Sequence, residues 1–243
     1  MTQSERSALV TGGSGGIGYG IASMLAGEGY ALTLCARRPE KLRDAADRLR
    51  AAGHDVVDVA ANVADEADIA RVAQSHRERH GSLDVLVNNA GIGIGANAGE
   101  LNTKHVDMQL AVNLRAVMLF YRECLDLLRA AAGARRSALV VNLASIAGLR
   151  AAPWISVYSA AKHGVVGYTR AMNRELGASG IKSTAICPAY VDTDMTAWVR
   201  DQVPPESMIT VDDVAGAVRW LIHSSPQCVV PEIPITLPGD ADA

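Results

Sequence analysis

The chain has 243 residues, of which 49% are hydrophobic and 20% charged, and its formal net charge is −3 at pH 7. This composition does not favour binding to nucleic acid or to an anionic membrane surface. No apolar run reaches the ~18–20 residues of a membrane span, and no secretory signal precedes the first apolar run, so we expect a cytoplasmic protein. Four widely separated cysteines without a C-x-x-C pair predict reduced, buried thiols and no metal site.

Short apolar runs alternate along the chain with longer segments of helical periodicity. The predicted strands are Ala8–Thr11, Ala31–Ala36, Val56–Ala60, Leu83–Asn88, Ala138–Leu143, Lys182–Cys187 and Ile233–Leu237. The predicted helices are Ile17–Ala26, Pro39–Ala52, Ile69–His80, Met108–Ala132, Val157–Ala178 and Val211–His223. Runs that are apolar on both faces and separated by helices indicate a parallel sheet covered on both sides. We therefore predict a doubly wound α/β fold that forms a single domain over residues 1–243.

The first predicted strand ends in the glycine-rich segment TGGSGGIG, which leads into a helix. Glycines permit the tight turn and close backbone approach that a pyrophosphate needs, and a helix N-terminus offers free N–H groups. Both G-x-G-x-x-G and T-G-x-x-x-G-x-G fit the segment, and spacing does not choose between them. Its place after the first strand favours a dinucleotide site over a flexible loop without a ligand. The cofactor-binding residues predicted here are Gly12, Ser14, Gly16, Ile17 and Gly18.

The end of the second strand indicates which dinucleotide would bind. A site for NAD has an acidic residue about 20 residues after the glycine loop, where it holds the ribose 2′-OH. Ala36 stands in that place, and Arg37 and Arg38 follow it. A guanidinium can grip a 2′-phosphate through two parallel hydrogen bonds. The alternative is that both arginines merely begin a helix, although positive charge is not favoured there. We predict NADP(H), with Arg37 as the main phosphate ligand.

Tyr158 and Lys162 are four residues apart in a predicted helix, so they share one helix face. A phenol ordinarily has a pKa near ~10, and a fixed positive charge nearby lowers that pKa. The pair therefore predicts an acid–base group, although the same spacing also occurs on solvated helix faces.

Together these segments resemble the short-chain dehydrogenase/reductase family. The glycine segment matches its cofactor loop, Asn88 to Gly91 its N-N-A-G motif and Tyr158 to Lys162 its Y-x-x-x-K motif. Asn113 and Ser145 fall where the family has its other two catalytic residues. Pro188, Val191 and Thr193 match most of P-G-x-V-x-T. The resemblance extends from Leu9 to Thr193.

The resemblance implies a Rossmann-like, seven-stranded parallel sheet and hydride transfer between a nicotinamide and an alcohol or carbonyl. Tyr158 would be the acid–base residue, Lys162 would lower its pKa and bind the nicotinamide ribose, and Ser145 would hold the substrate oxygen. Asn113 would support a water that relays protons to Lys162. The family's remaining cofactor contacts fall on Asn62, Val63, Asn89, Ala90, Gly91, Tyr158, Lys162, Pro188, Val191 and Thr193. A homodimer or homotetramer is also implied.

Three positions depart from the family pattern. Asn62 replaces the usual aspartate beside the adenine, and its amide carbonyl can still accept a hydrogen bond from the adenine amino group. Ala189 replaces a glycine and narrows the backbone freedom near the nicotinamide. The C-terminal segment Pro231–Gly239 lacks the family's usual glycine pair. Pro234 within it cannot donate to a strand ladder, so the last strand should be short or lie at a sheet edge.

The substrate side of such a site would be lined by three segments, Ile92–Gly95, Leu149–Trp154 and Asp194–Met208. Beside Ser145 and Tyr158, we predict substrate contacts from Trp154, Met195 and Trp198. An apolar pocket would suit a lipophilic ketone or a 3-oxoacyl thioester, whereas the alternative is that these side chains only pack the loops.

The sequence thus favours an NADP(H)-dependent oxidoreductase that acts on a small carbonyl or alcohol substrate. One alternative is an NAD-dependent alcohol or steroid dehydrogenase, which cofactor preference would distinguish. Another is a dinucleotide-binding regulator without catalysis, which the complete set of four catalytic residues argues against.

Overall fold

The computed structural model describes residues 6–239. Its centre is a sheet of seven strands in the order β3-β2-β1-β4-β5-β6-β7, and every neighbouring pair is parallel. The strands β1 to β7 are Ser7–Thr11, Ala31–Ala36, Val56–Ala60, Val85–Asn88, Ala138–Leu143, Ile181–Pro188 and Glu232–Ile235. Nearly all residues of the six strands β1 to β6 are buried, as expected for strands covered on both faces. The predicted doubly wound, seven-stranded parallel sheet is confirmed.

Helices cover both faces of the sheet. The helices α1 to α7 are Gly16–Gly27, Pro39–Ala51, Glu66–His80, Thr103–Leu110, Ala116–Arg135, Ser156–Leu176 and Val211–His223. Short 3-10 turns occupy Ala98–Glu100, Ile146–Gly148, Gly177–Ser179, Asp194–Val199 and Pro205–Ser207. The single predicted helix Met108–Ala132 was wrong in its start and its regularity. A π-helical turn, Ala111–Arg115, joins α4 to α5, and the helical stretch begins at Thr103.

Two apolar cores lie on opposite faces of the sheet. One is built mainly between the strands and helices α3, α5 and α6, with Phe120 among its largest fully buried side chains. The other packs α1, α2 and α7 against the opposite face. The strand order reverses between β1 and β4, so the loops that follow these two strands diverge and leave a crevice at the carboxyl edge of the sheet. In doubly wound sheets this crevice is where ligands bind.

Strand β7 lies at one edge of the sheet and has four residues. Pro234 pairs there with Cys187 of β6, and β6 is the only strand that β7 pairs with among residues 6–239. The short edge strand predicted from this proline is confirmed. Three of the four cysteines, Cys35, Cys124 and Cys187, are buried, and burial raises the pKa of each thiol to about 12. No helix within residues 6–239 is both long and apolar enough to cross a bilayer.

Candidate active site

The glycine-rich turn after β1 is held in place by the segment after β4. Thr11 Oγ1 accepts hydrogen bonds from the backbone N–H groups of Asn89 and Ala90, each at 3.0 Å. The Asn89 amide in turn donates to the carbonyls of Thr11 and Gly12, at 2.9 and 3.3 Å. Gly12 has a φ of 68°, and a Cβ on Gly18 would lie only 2.3 Å from the Gly12 carbonyl oxygen. The side chain of Asn89 therefore shapes the glycine turn, and these glycines bring α1 close to β1.

The N-terminus of α1 is suited to an anion. In this helix, which lies wholly within the described residues, Gly15 is the N-cap, no side chain caps the end and no acidic residue occupies the first turn. A Cβ on Gly16 would lie 3.3 Å from the Thr193 methyl, so Thr193 borders the same turn. Uncapped N–H groups and the helix dipole favour a phosphate here. The residues present therefore fit a dinucleotide diphosphate.

The residues predicted to bind the adenosine half lie at the ends of β2 and β3. Arg37 and Arg38 are exposed, and Arg38 is the N-cap of α2. Asn62 Oδ1 accepts a hydrogen bond from the Ala64 N–H at 3.2 Å, so its amide oxygen already caps a local turn. Val63 is buried and packs into the core on the α3 side. Arg37, Arg38 and Asn62 are thus accessible to a ligand, whereas Val63 is not.

Asn113 lies in the π-helical turn and is 1% exposed. Its Oδ1 accepts the Ile92 N–H at 2.9 Å, and its Nδ2 donates to the Ile92 carbonyl at 2.8 Å. Gly91 lies between Asn113 and Lys162, because a Cβ placed on Gly91 would be 3.2 Å from Asn113 Oδ1 and 3.8 Å from Lys162 Nζ. The extra residue of a π turn re-aims a side chain at one point of a helix. Here it directs Asn113 to the loop after β4.

Ser145 and Tyr158 meet at the carboxyl ends of β5 and β6. Ser145 begins the 3-10 turn after β5, and its Oγ accepts the Ala147 N–H at 3.2 Å. The Ser145 side chain interacts with the Tyr158 phenol from close by, and Ser145 Oγ also donates to the Pro188 carbonyl oxygen at 3.5 Å. Burial raises the pKa of Tyr158, and the interaction with Ser145 acts in the opposite direction. Tyr158 as a whole is only partly buried.

Lys162 is 4% exposed, and its Nζ donates to the Leu143 carbonyl at 2.5 Å. The amine lies 5.6 Å from the centroid of the Tyr158 ring. Burial lowers the pKa of Lys162 to about 8. The predicted lowering of the Tyr158 pKa by Lys162 is not observed here, because burial of the phenol outweighs other influences and the amine is directed at the Leu143 carbonyl. The two groups nevertheless share one face of α6, as predicted.

The turn that carries Ser145 packs against α6 at very short range. A Cβ placed on Gly148 would lie 2.8 Å from both the carbonyl carbon and the carbonyl oxygen of Lys162. Only glycine fits this contact without displacing one of the two backbones. Gly148 therefore sets the separation between Ser145 and the helix that bears Tyr158 and Lys162.

Aromatic side chains gather where the substrate side was predicted. Trp154 and Trp198 have ring centroids 5.4 Å apart, and Tyr190 lies 6.5 Å from Trp198. These side chains and Met195 are exposed, Trp198 to 57%. Trp154 has a φ of 69°, which is unusual for a bulky residue, and its carbonyl accepts the Ala96 N–H at 2.7 Å. The structure thus brings the three predicted substrate segments together, with Tyr190 as an added member.

The remaining predicted cofactor residues follow β6. Pro188 ends the strand, and its carbonyl oxygen lies 3.5 Å from Ser145 Oγ. Val191 forms an isolated bridge with Ile209, which ties the start of the substrate segment to its end. Thr193 caps the following 3-10 turn in a reciprocal capping box with Thr196.

Two residues that contact the site were missed from the sequence. Gln109 is 1% exposed and accepts the Ile94 N–H at 3.1 Å, one helical turn before Asn113, so it holds the same loop. Its i−4 spacing from Asn113 was a signal that could have identified it. Lys41 forms an ion pair with Asp194 across the glycine turn, and sequence gives no sign of this contact because 153 residues separate the two.

The chain is similar to known proteins in sequence and in structure. Residues 6–204 match the family described as short chain dehydrogenase. A Streptomyces virginiae protein named "Monensin polyketide synthase putative ketoacyl reductase" is 37% identical over 241 residues, which cover 91% of this chain and 92% of that protein. A 3-oxoacyl-acyl-carrier-protein reductase from Staphylococcus aureus is 35% identical over 225 residues, with 89% and 90% covered.

A solved structure of a variant of actinorhodin polyketide ketoreductase with NADPH superimposes with a TM-score of 0.87. It is 33% identical and covers 97% of this chain and 96% of that one. This chain therefore belongs to the short-chain dehydrogenase family. It is an oxidoreductase of that family.

Proposed function

We propose that this protein is an NADP(H)-dependent ketoreductase that interconverts a carbonyl and a secondary alcohol. The observation that carries the proposal is the grouping of Ser145, Tyr158 and the buried Lys162 at the same sheet edge as the uncapped N-terminus of α1. A proton donor, an oxygen-binding hydroxyl and a phosphate-binding helix end are together what such a reaction needs.

Tyr158 and Ser145 would act together on the substrate oxygen. The raised pKa of Tyr158 keeps its phenol protonated at neutral pH, as a proton donor to a carbonyl oxygen requires. Ser145 would hold the same oxygen, because it lies beside the phenol and influences its pKa. NADP(H), when bound, supplies or takes up the hydride.

Lys162 would stabilise the phenolate that remains after proton transfer. Its amine lies over the Tyr158 ring in a buried site, where a charge interaction is stronger than in water. We propose that Asn113 positions the loop after β4, since its amide oxygen accepts from the Ile92 N–H and its amide nitrogen donates to the Ile92 carbonyl. A proton relay through a water toward Lys162 remains our proposal for the same region, with Gly91 between the two residues.

The cofactor would lie across the crevice from α2 to Thr193. The proposed contacts are Gly12, Ser14, Gly16, Ile17, Gly18, Arg37, Arg38, Asn62, Val63, Asn89, Ala90, Gly91, Tyr158, Lys162, Pro188, Val191 and Thr193. Support for NADP(H) over NAD comes from the exposed Arg37 and Arg38 at the end of β2 and from the NADPH in the actinorhodin ketoreductase structure. Asn89 would act through the glycine turn, because its amide is already committed to Thr11 and Gly12.

For the substrate, we propose a lipophilic ketone, with a 3-oxoacyl thioester as the first candidate. The exposed aromatic side chains of Trp154 and Trp198 and the adjacent Met195 support an apolar acyl chain. The names of the ketoacyl and 3-oxoacyl reductases to which the chain is similar point to the same substrate class.

The test is a panel of carbonyl compounds that includes 3-oxoacyl thioesters, each assayed for NADPH and NADH oxidation. We expect turnover of lipophilic ketones with a clear preference for NADPH. A preference for NADH would instead support the alternative NAD-dependent dehydrogenase. Tight dinucleotide binding without any turnover across the panel would support a non-catalytic regulator.

We further propose one domain that carries both sites, a homodimer or homotetramer, and a location in the cytoplasm. The exposed apolar side chains of Leu110, Met118 and Trp220 on helical surfaces support association between copies of the chain. Light scattering at micromolar concentration would test the assembly, and particles of only 25.5 kDa would contradict it.

A further inference from the structure

An ion pair crosses the predicted dinucleotide site. Lys41 Nζ on α2 lies 3.1 Å from Asp194 Oδ2, which begins the segment after β6. The lysine side chain reaches its partner over the glycine turn, because a Cβ placed on Gly15 would lie 3.3 Å from both Lys41 Cε and Nζ. A side chain of the cofactor half is thereby tied to the first residue of the substrate segment.

This pair is not needed to hold the fold. The two side chains are 41% and 92% exposed, and exposed ion pairs contribute little to folding stability. The 3-10 turn at Asp194 is already capped by the reciprocal hydrogen bonds of Thr193 and Thr196. Folding stability therefore does not explain the position of the Lys41 amine.

The charges around the pair favour an anion with more charge than a carboxylate. Asp194 is influenced by Arg38 and Arg200 as well as by Lys41, whose hydrogen bond is the main reason that the pKa of Asp194 is lowered. Arg200 has a second carboxylate partner, Asp192, at 2.9 Å. Arg37 and Arg38 come immediately before α2, and Lys41 lies in its first turn.

Acidic side chains, Asp44 and Asp47, follow Lys41 along α2. A shallow groove next to Lys41 is lined by Ser14, Asp44, Asp47 and Arg48 as well. Asp47 is paired with Arg50. A phosphate would therefore be favoured at the Lys41 and Ser14 end of this groove and repelled beside Asp44.

We propose that Lys41 is a specificity-determining ligand of the 2′-phosphate of NADP(H). In the cofactor-free enzyme, the Lys41 amine is paired with the Asp194 carboxylate instead. The inference rests on the proposed NADP(H) dependence. A phosphate dianion carries more charge and more acceptor oxygens than a carboxylate, so it displaces Asp194 from Lys41. Release of Asp194 frees the first residue of the substrate segment. Cofactor binding is in this way linked to the segment that covers the substrate.

The test is calorimetric titration of the substrate-free protein with NADP⁺ and, separately, with NAD⁺. Asp194→Asn removes the competing charge at nearly constant size and should tighten NADP⁺ binding about two- to fivefold, with NAD⁺ unchanged. Lys41→Gln should weaken NADP⁺ binding about tenfold, again with little effect on NAD⁺. In the double variant, Asp194→Asn should have no further effect, since its benefit acts through Lys41.

Asp192→Asn is the matched control, because Asp192 precedes the same turn and pairs with Arg200 instead of Lys41. It should leave both dissociation constants as they are. Equal changes for NADP⁺ and NAD⁺ in the Lys41 variant would overturn the assignment to the 2′-phosphate. Unchanged NADP⁺ affinity in Asp194→Asn would overturn the competition. If the native protein bound neither dinucleotide, the proposed function itself would fail. If the native protein bound NADP⁺ and neither Lys41→Gln nor Asp194→Asn changed its dissociation constant, only this inference would be overturned.

Discussion

Gly148→Ala should separate the serine from the tyrosine without touching either. The added Cβ would lie 2.8 Å from the Lys162 carbonyl carbon and oxygen, whereas ordinary contact begins at 3.4 Å. The Ser145 turn or α6 must therefore move by about 0.6 Å, the difference between these two distances. Overpacking of this kind costs ~1–3 kcal/mol of stability. A misplacement near 1 Å can reduce turnover ~10²-fold, so we expect kcat to fall about tenfold or more.

The measurements are kcat on the best ketone of the panel, the Kd for NADP⁺, and the free energy of unfolding in urea. The glycine turn at the start of α1 lies away from the contact, so the Kd should change much less than kcat, although Tyr158 and Lys162 are also proposed cofactor contacts. Gly133→Ala on α5 is the control, since its added Cβ meets nothing within 4 Å among residues 6–239 apart from its chain neighbours and the backbone of its own helix. That change should stabilise the helix by up to ~1 kcal/mol and leave kcat alone. Native kcat and native stability in Gly148→Ala would refute the reasoning.

Three further predictions follow from charges in the structure. Because the pKa of Lys162 is about 8, the ammonium is lost above that pH, and kcat/KM for ketone reduction should fall about tenfold per pH unit there; a flat profile from pH 7 to 10 would contradict this. Burial lowers the pKa of His76 to about 3, so below pH ~6.5 only the unfolded chain takes up this proton, and the free energy of unfolding should drop. Between pH 6.5 and 5 the loss should be about 2 kcal/mol, and urea unfolding of His76→Gln should lack it. Arg37→Ala should reduce the preference for NADPH over NADH about tenfold, and an unchanged ratio of kcat/KM values would show that Arg37 is not a phosphate ligand.

The fold was predictable because its signals are local. Buried strands such as Ala31–Ala36 and Ala138–Leu143 are apolar on both faces, and their boundaries agree with the prediction to the residue. The π-helical turn at Ala111–Arg115 was not predictable, because it accompanies the hydrogen bonds of Asn113 with the loop after β4, a tertiary contact that the local sequence does not show. Hydrophobic periodicity alone predicts an uninterrupted helix there.

The site was predictable in its membership but less so in its electrostatics. Motif order identified Ser145, Tyr158 and Lys162, and the structure places them together. The spacing of Tyr158 and Lys162 suggested that the cation lowers the phenol pKa, yet the depth of the phenol decides the direction. Burial depends on the whole fold and has no signature in five residues. The Lys41–Asp194 contact likewise depends on how two distant segments meet.

The most direct test of the central claim is Tyr158→Phe, measured for both turnover and cofactor binding. Phenylalanine keeps the ring that lies beside the Lys162 amine and removes only the phenol hydroxyl. The account predicts a native Kd for NADP⁺ and a loss of kcat of ~10²–10⁴-fold. A variant that retained near-native kcat with its best ketone would contradict the assignment of Tyr158 as the proton donor.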